Sequence, residues 1–167
     1  GSKLTTIGDS SFSYCTKLAE INLPETLLTI DEWAFHTCSS LSEIIIPKSV
    51  TKIGECSFEK CNFTEIIIPA GVETLENSTF FGCESLKTVI FDSGSKLNKI
   101  GDYVFRACKA LETIKIPAGV TSIGLNSFNV NLSLKELEFE ENSQLKTIGV
   151  QAFAGSGLTY VKLPNMV

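Results

Sequence analysis

Six cysteines and a single histidine, His36, are the residues of this chain best equipped for chemistry. Five of the thiols, Cys15, Cys38, Cys61, Cys83 and Cys108, recur every 22 to 25 residues, and Cys56 stands outside the series. Such a set invites a disulfide framework, a metal site or a catalytic nucleophile. A zinc site needs ligands converging on one point. Thiols carried one per repeat form a row spaced like neighbouring strands, about 4.8 Å apart, which does not converge. A catalytic thiol needs a base and a group that orients it. His36 reads as a surface-turn residue beside Trp33 with no evident orienting carboxylate in sequence, and Cys56 reads as the most accessible thiol with nothing to activate it. Asn131 and Ser156 occupy the cysteine position in the last two repeats. Exchange among Cys, Asn and Ser points to a small buried polar group that bonds loop backbone, so the thiols are read as free. No catalytic, cofactor-binding or metal-ligating residue is assigned.

The elements that carry these residues are seven units: 4–26, 27–49, 50–71, 72–96, 97–119, 120–144 and 145–167. A fixed period of this size marks a solenoid, in which each unit buries its apolar face only against its neighbours. Every unit opens on a short apolar stretch, such as Leu4 to Ile7 or Val50 to Ile53. Gly8, Gly54, Gly101, Gly124 and Gly149 follow, with Asp31 and Glu76 in the other two units. A recurrent glycine there suggests a corner that a Cβ hinders. Next comes an unbroken aromatic column: Phe12, Phe35, Phe58, Phe80, Phe105, Phe128 and Phe153. The residues around each ring are too few for a regular helix and predict one helical or 3₁₀ turn. A six-residue alternating pattern closes each unit, as in Leu41–Ile44–Ile46 and Phe63–Ile66–Ile68, and predicts a half-buried strand. Pro24, Pro47, Pro69, Pro117 and Pro164 end five of these strands, since proline donates nothing to a ladder. Longer polar bends, 92–96 and 140–144, replace it elsewhere. One residue fewer between Cys61 and Phe63 accounts for the 22-residue unit.

The run Leu41, Ile44, Ile46, Pro47, Val50, Ile53, Gly54, Phe58, Cys61, together with Trp33-Ala34-Phe35 to Cys38 and Gln151-Ala152-Phe153, resembles the BspA-like class of leucine-rich repeats. The resemblance covers residues 4–164. It implies an α/β-type, β-rich leucine-rich repeat solenoid: a curved, right-handed stack of about seven coils with a parallel β-sheet on one face and short strands and turns elsewhere. It further implies an extracellular or cell-surface protein, often discussed as an adhesin, whose members share no catalytic residues to carry over.

At 167 residues the chain reads as one solenoid domain, 3–167, with residues 1–2 a cloning scar. The abrupt start and the stop at Asn165, Met166 and Val167 suggest a piece of a longer array, whose uncapped ends offer a route to self-association. No apolar run is long enough for membrane insertion. The net charge of −5 disfavours nucleic acid, which wants a basic face.

That leaves a surface for a protein partner. Alternation places Asn22, Ile45, Ile67, Ile90, Lys115, Glu138 and Lys162 on the outer face of the strand pattern. Two residues earlier the outward column runs Glu20, Glu43, Glu65, Thr88, Thr113, Glu136 and Tyr160. Three adjacent isoleucines bordered by carboxylates suit a contact surface; they also suit mere β-propensity. The candidate partner-binding residues are Ile45, Ile67, Ile90, Glu43, Glu65, Lys115 and Tyr160, the partner a host surface or matrix protein. A spacer or self-associating stalk without a specific ligand is the other reading that the repeats allow.

Overall fold

The computed structural model describes residues 1–164, which form one stack of coils around a continuous apolar core. The last residues of the seventh unit, 165–167, and the terminus read there, lie outside the described residues. In chain order the strands are β1 (Thr6–Ile7), β2 (Thr29–Ile30), β3 (Lys52–Ile53), β4 (Glu65–Ile68), β5 (Thr74–Leu75), β6 (Thr88–Phe91), β7 (Lys99–Ile100), β8 (Thr113–Ile116), β9 (Ser122–Ile123), β10 (Glu136–Phe139) and β11 (Thr147–Ile148). All pairings are parallel and join equivalent residues one unit apart, as in Ile7↔Ile30 and Ile67↔Ile90. They build three ladders: β1-β2-β3, β5-β7-β9-β11 and, on the face expected to bind, β4-β6-β8-β10. Seven units enclose about six full turns.

The phenylalanine column runs unbroken through all of them. Consecutive rings lie 5.1 to 5.6 Å apart, all but one pair within 6° of parallel. Phe63, an aromatic in a column otherwise filled by leucine, packs edge-on against Phe58 and Phe80 at 5.9 and 6.2 Å. The corner glycines Gly54, Gly101, Gly124 and Gly149 are explained by this close stacking. A Cβ on Gly124 would stand 2.5 Å from the backbone of Gly101, and one on Gly54 2.6 Å from that of Asp31. The obstacle is the neighbouring coil, and the turn itself needs no left-handed residue at these positions.

The helical or 3₁₀ turn expected around each ring does not form: among the described residues these segments are chained turns. The reason is an alternation of backbone partners. Trp33, Phe35 and Thr37 donate their amides to the carbonyls of Glu55, Ser57 and Glu59 in the next coil, whereas Ala34, His36 and Cys38 donate locally, three residues back. The residues two before and two after the ring take positive φ, including Trp33 at 56°, Thr37 at 57° and Val130 at 62°. A helix would direct every amide along its own axis. The left-handed residues two before and two after the ring let every second amide of the turn reach the neighbouring coil.

The cysteine column does the bonding expected of it. The thiols of Cys38, Cys61, Cys83 and Cys108 donate to the carbonyls of Phe12, Phe35, Phe58 and Phe80, each in the preceding coil, at 3.1 to 3.3 Å. Asn131 holds the same fully buried place, but its side-chain amide finds no hydrogen-bond partner. A buried unpaired amide costs about 1–3 kcal/mol. Asn131→Cys is therefore expected to stabilise the fold by about 1–2 kcal/mol, read as a higher urea midpoint at unchanged slope.

Candidate functional site

The thiols are placed for structure. All six cysteines are free, and all but Cys15 are buried. Burial pushes the Cys38 thiol up to about 11 and the Cys56 thiol up to about 12. It drives Cys61, Cys83 and Cys108 upward as well. Cys56 is thus not the accessible thiol that its place outside the column suggested, because Phe58 and its flanking turns carry it inward, 5% exposed.

His36 also departs from its expected surface position. It is 4% exposed and lies edge-on to Trp33 and Tyr14, with ring centroids 4.7 and 5.0 Å away. The carboxylate invisible in the local sequence comes from the coil above: Glu59 Oε2 is 3.7 Å from His36 Nδ1. The same Glu59 disfavours the Cys56 thiolate, which burial already opposes. Desolvation holds the His36 pKa below its ordinary 6.5, with Glu59 opposing and Lys60 assisting. An activated thiol needs the reverse pattern, a stabilised thiolate beside a protonated imidazole. This cluster keeps the thiol protonated and the imidazole neutral, as an inert structural site does.

The outer strand face is different. Ile45, Ile67 and Ile90 are 74%, 48% and 40% exposed, and Glu43, Glu65 and Lys115 are exposed beside them. Ile67 and Ile90 are register partners, as are Thr88 and Thr113, which sets Lys115 alongside Ile90. Tyr160 is also exposed, but it lies beyond β10 and lines a separate depression with Glu136, Glu138 and Glu140. The isoleucines and their nearer charges therefore share one surface, and Tyr160 belongs to its far end.

Ile45 reaches that surface across a split. The strand pattern was expected to pair in every unit, yet it does so only in the four central ones, β4 to β10. No backbone hydrogen bond joins 42–47 to 63–69 among the described residues. On the opposite side the same two coils stay tied, with Phe35 and Phe58 stacked at 5.4 Å. Part of the cause is the shortened unit. In the first, second, fourth, fifth and sixth units the leucine before the strand closes a turn on the preceding Cys or Asn, as Leu41 does on Cys38. In the third unit Asn62 bonds Leu41 of the coil below instead, and the bulkier Phe63 enters the core one residue early. The resulting depression, about 600 Å³, is lined by Glu43, Ile45, Pro47, Glu65, Ile67 and Pro69, with Glu25, Lys48 and Asp92 at its rim. Sequence reasoning passed over Pro47, Pro69, Glu25 and Asp92. The missing residue after Cys61 was the available signal.

A model of the BspA type leucine rich repeat region matches in six copies, over residues 1–63 and 51–167. Among solved structures, the pneumococcal vaccine antigen PcpA is similar over 69% of this chain, at 31% identity and a TM-score of 0.60. A leucine-rich repeat protein of T. pallidum is similar over 91%, at 27% identity and a TM-score of 0.82. One from Eubacterium ventriosum is similar over 86%, at 25% identity and a TM-score of 0.60. The chain spans 31%, 70% and 44% of those proteins, respectively. No curated protein matches it in sequence.

Two measurements check the placement of the reactive groups. In folded protein at pH 8, iodoacetamide is expected to modify Cys15 quickly and the other five thiols only after denaturation, counted by mass. For His36 the folded pKa lies below 6.5, so the unfolded chain takes up the proton first. Its contribution is intact above about pH 6.5 and is lost as pH falls through that value towards the folded one. Between pH 7.5 and 5.5 the wild type should lose stability relative to His36→Gln, with a slope of at most about 1.4 kcal/mol per pH unit.

Proposed function

The chain belongs to the BspA-type leucine-rich repeat family, and from that premise we propose that it is a non-catalytic protein-binding module, displayed outside the cell or on its surface. The observation that carries this reading is the exposed stripe of Ile45, Ile67 and Ile90 on a face whose remaining outward positions are mostly polar or charged. The partner is a protein, with a host surface or matrix protein as the class proposed. That the pneumococcal relative is a vaccine antigen supports the surface location. Among the described residues no helix is long and apolar enough to cross a membrane.

Burying three isoleucine side chains contributes on the order of 5 kcal/mol. Association costs at least about 4 kcal/mol in lost freedom, so the stripe alone gives weak binding. Glu43, Glu65 and Lys115 then set orientation and reject partners of the wrong charge. Tyr160 contributes only to a partner long enough to cross the sheet.

Ile67→Lys is the direct test, because this side chain is half exposed and its loss spares the core. Binding to a panel of purified matrix and host-surface proteins should fall at least tenfold in the variant, with the melting temperature within about 2 °C of the parent. Equal binding by the two proteins removes this face as the contact.

A further inference from the structure

We propose that the split between the second and third coils receives an extended peptide strand, apolar at its inward positions and basic at its outward ones, which pairs with the free edge of β4. The proposal rests on the reading of this face as the binding surface and names what it holds.

The first support is the unpaired backbone. β4 ends its ladder, so the amides and carbonyls that face away from β6 have no partner in the sheet. Across the split, the segment 43–46 pairs with neither neighbour, since no backbone bond joins it to 18–24 or to 63–69 among the described residues. The β4 side of the split is already strand. Ile66 and Ile68 pair with Val89 and Phe91 on the other edge of β4. An exposed edge of this kind is a template for a further strand.

The second support is where pairing must stop. Pro47 and Pro69 lie at equivalent points just after the two edges, and both line the depression. Neither has an amide to donate, so an added strand gains its ladder over Glu43–Ile46 and Glu65–Ile68 and not beyond. A site about four residues long with a defined end is the result. Its volume of about 600 Å³ lies in the range of formed ligand sites.

Charge and alternation decide the occupant. The outward neighbours of an inserted strand are Glu43 and Ile45 on one side and Glu65 and Ile67 on the other, with Glu25 and Asp92 at the rim. The one cation of the lining, Lys48, is drawn towards Asp92 at 3.9 Å. The inward neighbours that line the depression are Ile44 and Ile46, both buried. A strand with aliphatic residues inward and lysine or arginine outward meets both sets. An acidic strand sets like charges side by side on a sheet, which is destabilising.

The test uses three labelled octapeptides: alternating Lys and Val, alternating Glu and Val, and the Lys–Val peptide with its four lysine amides N-methylated. The last keeps every side chain and removes donors from one edge. By fluorescence polarisation the Lys–Val peptide is expected to bind below 1 mM, the methylated one at least tenfold more weakly, and the Glu–Val one not at all. Hydrogen exchange at Glu65–Ile68 should slow when the Lys–Val peptide is bound. Equal binding by the methylated peptide, or unchanged exchange at β4, overturns strand pairing. If that equal binding disappears in Ile67→Lys, the apolar face survives as a contact and only the pairing falls. If Ile67→Lys leaves the methylation-sensitive binding untouched, the pairing stands and the isoleucine stripe falls. Absence of Lys–Val binding at 1 mM overturns the proposal. So does a dimer of the protein alone, seen by sedimentation and abolished by Ile67→Lys, which assigns the split to a second copy.

Discussion

Seven phenyl rings, one per coil and 5.1 to 5.6 Å apart, set how closely each turn of this chain lies on the next. Burying each ring contributes about 1.5–3 kcal/mol, and an aromatic pair adds about 0.5–1.5 kcal/mol. No single coil encloses a ring by itself, so the energy is available only to a stack. The close approach that the rings demand explains the glycine at the corner and the carbonyl within reach of each thiol. The column is continuous where the strand ladders are not. At the second and third coils the strand face parts while the rings remain stacked, which identifies the rings as the spine and the sheet as an accessory to it.

Polar groups are satisfied in the same vertical direction. The turns beside the rings send alternate amides to the neighbouring coil, and four of the cysteines add one more bond each to the carbonyl of a phenylalanine below. A buried thiol is a weak donor, but it is small and leaves no charge to solvate. Burial then removes its reactivity, since the thiolate is the form that attacks. The His36–Glu59–Cys56 cluster obeys the same rule. Groups that would make chemistry elsewhere are here held in their neutral forms, or beside a counter-charge, inside a packed turn.

Much of this was legible in the sequence because identical letters share identical surroundings in a repeat. The ring column, the bonding role of the cysteines, the outward isoleucines and the family resemblance all follow from vertical equivalence. What escaped depends on differences between adjacent coils. His36 is buried because Glu59 and Trp33 close over it, and Glu59 comes from a unit 23 residues later. The left-handed backbone at Trp33, Thr37 and Val130 runs against residue preference and is imposed by bonding to the next coil. The shortened unit was visible as a missing residue. That it coincides with an opened sheet required the positions of two strands that local pattern treats as the same.

The bonds that pass between coils have a mechanical corollary. They lie along the axis of the stack, and each coil is held by its neighbours alone, so a pull on the chain ends detaches the outermost coils first. Rupture then proceeds by peeling, and each detached coil of 22 to 25 residues lengthens the tether by roughly 75–85 Å at full extension. Under shear such an element behaves as a shock absorber that yields in even increments.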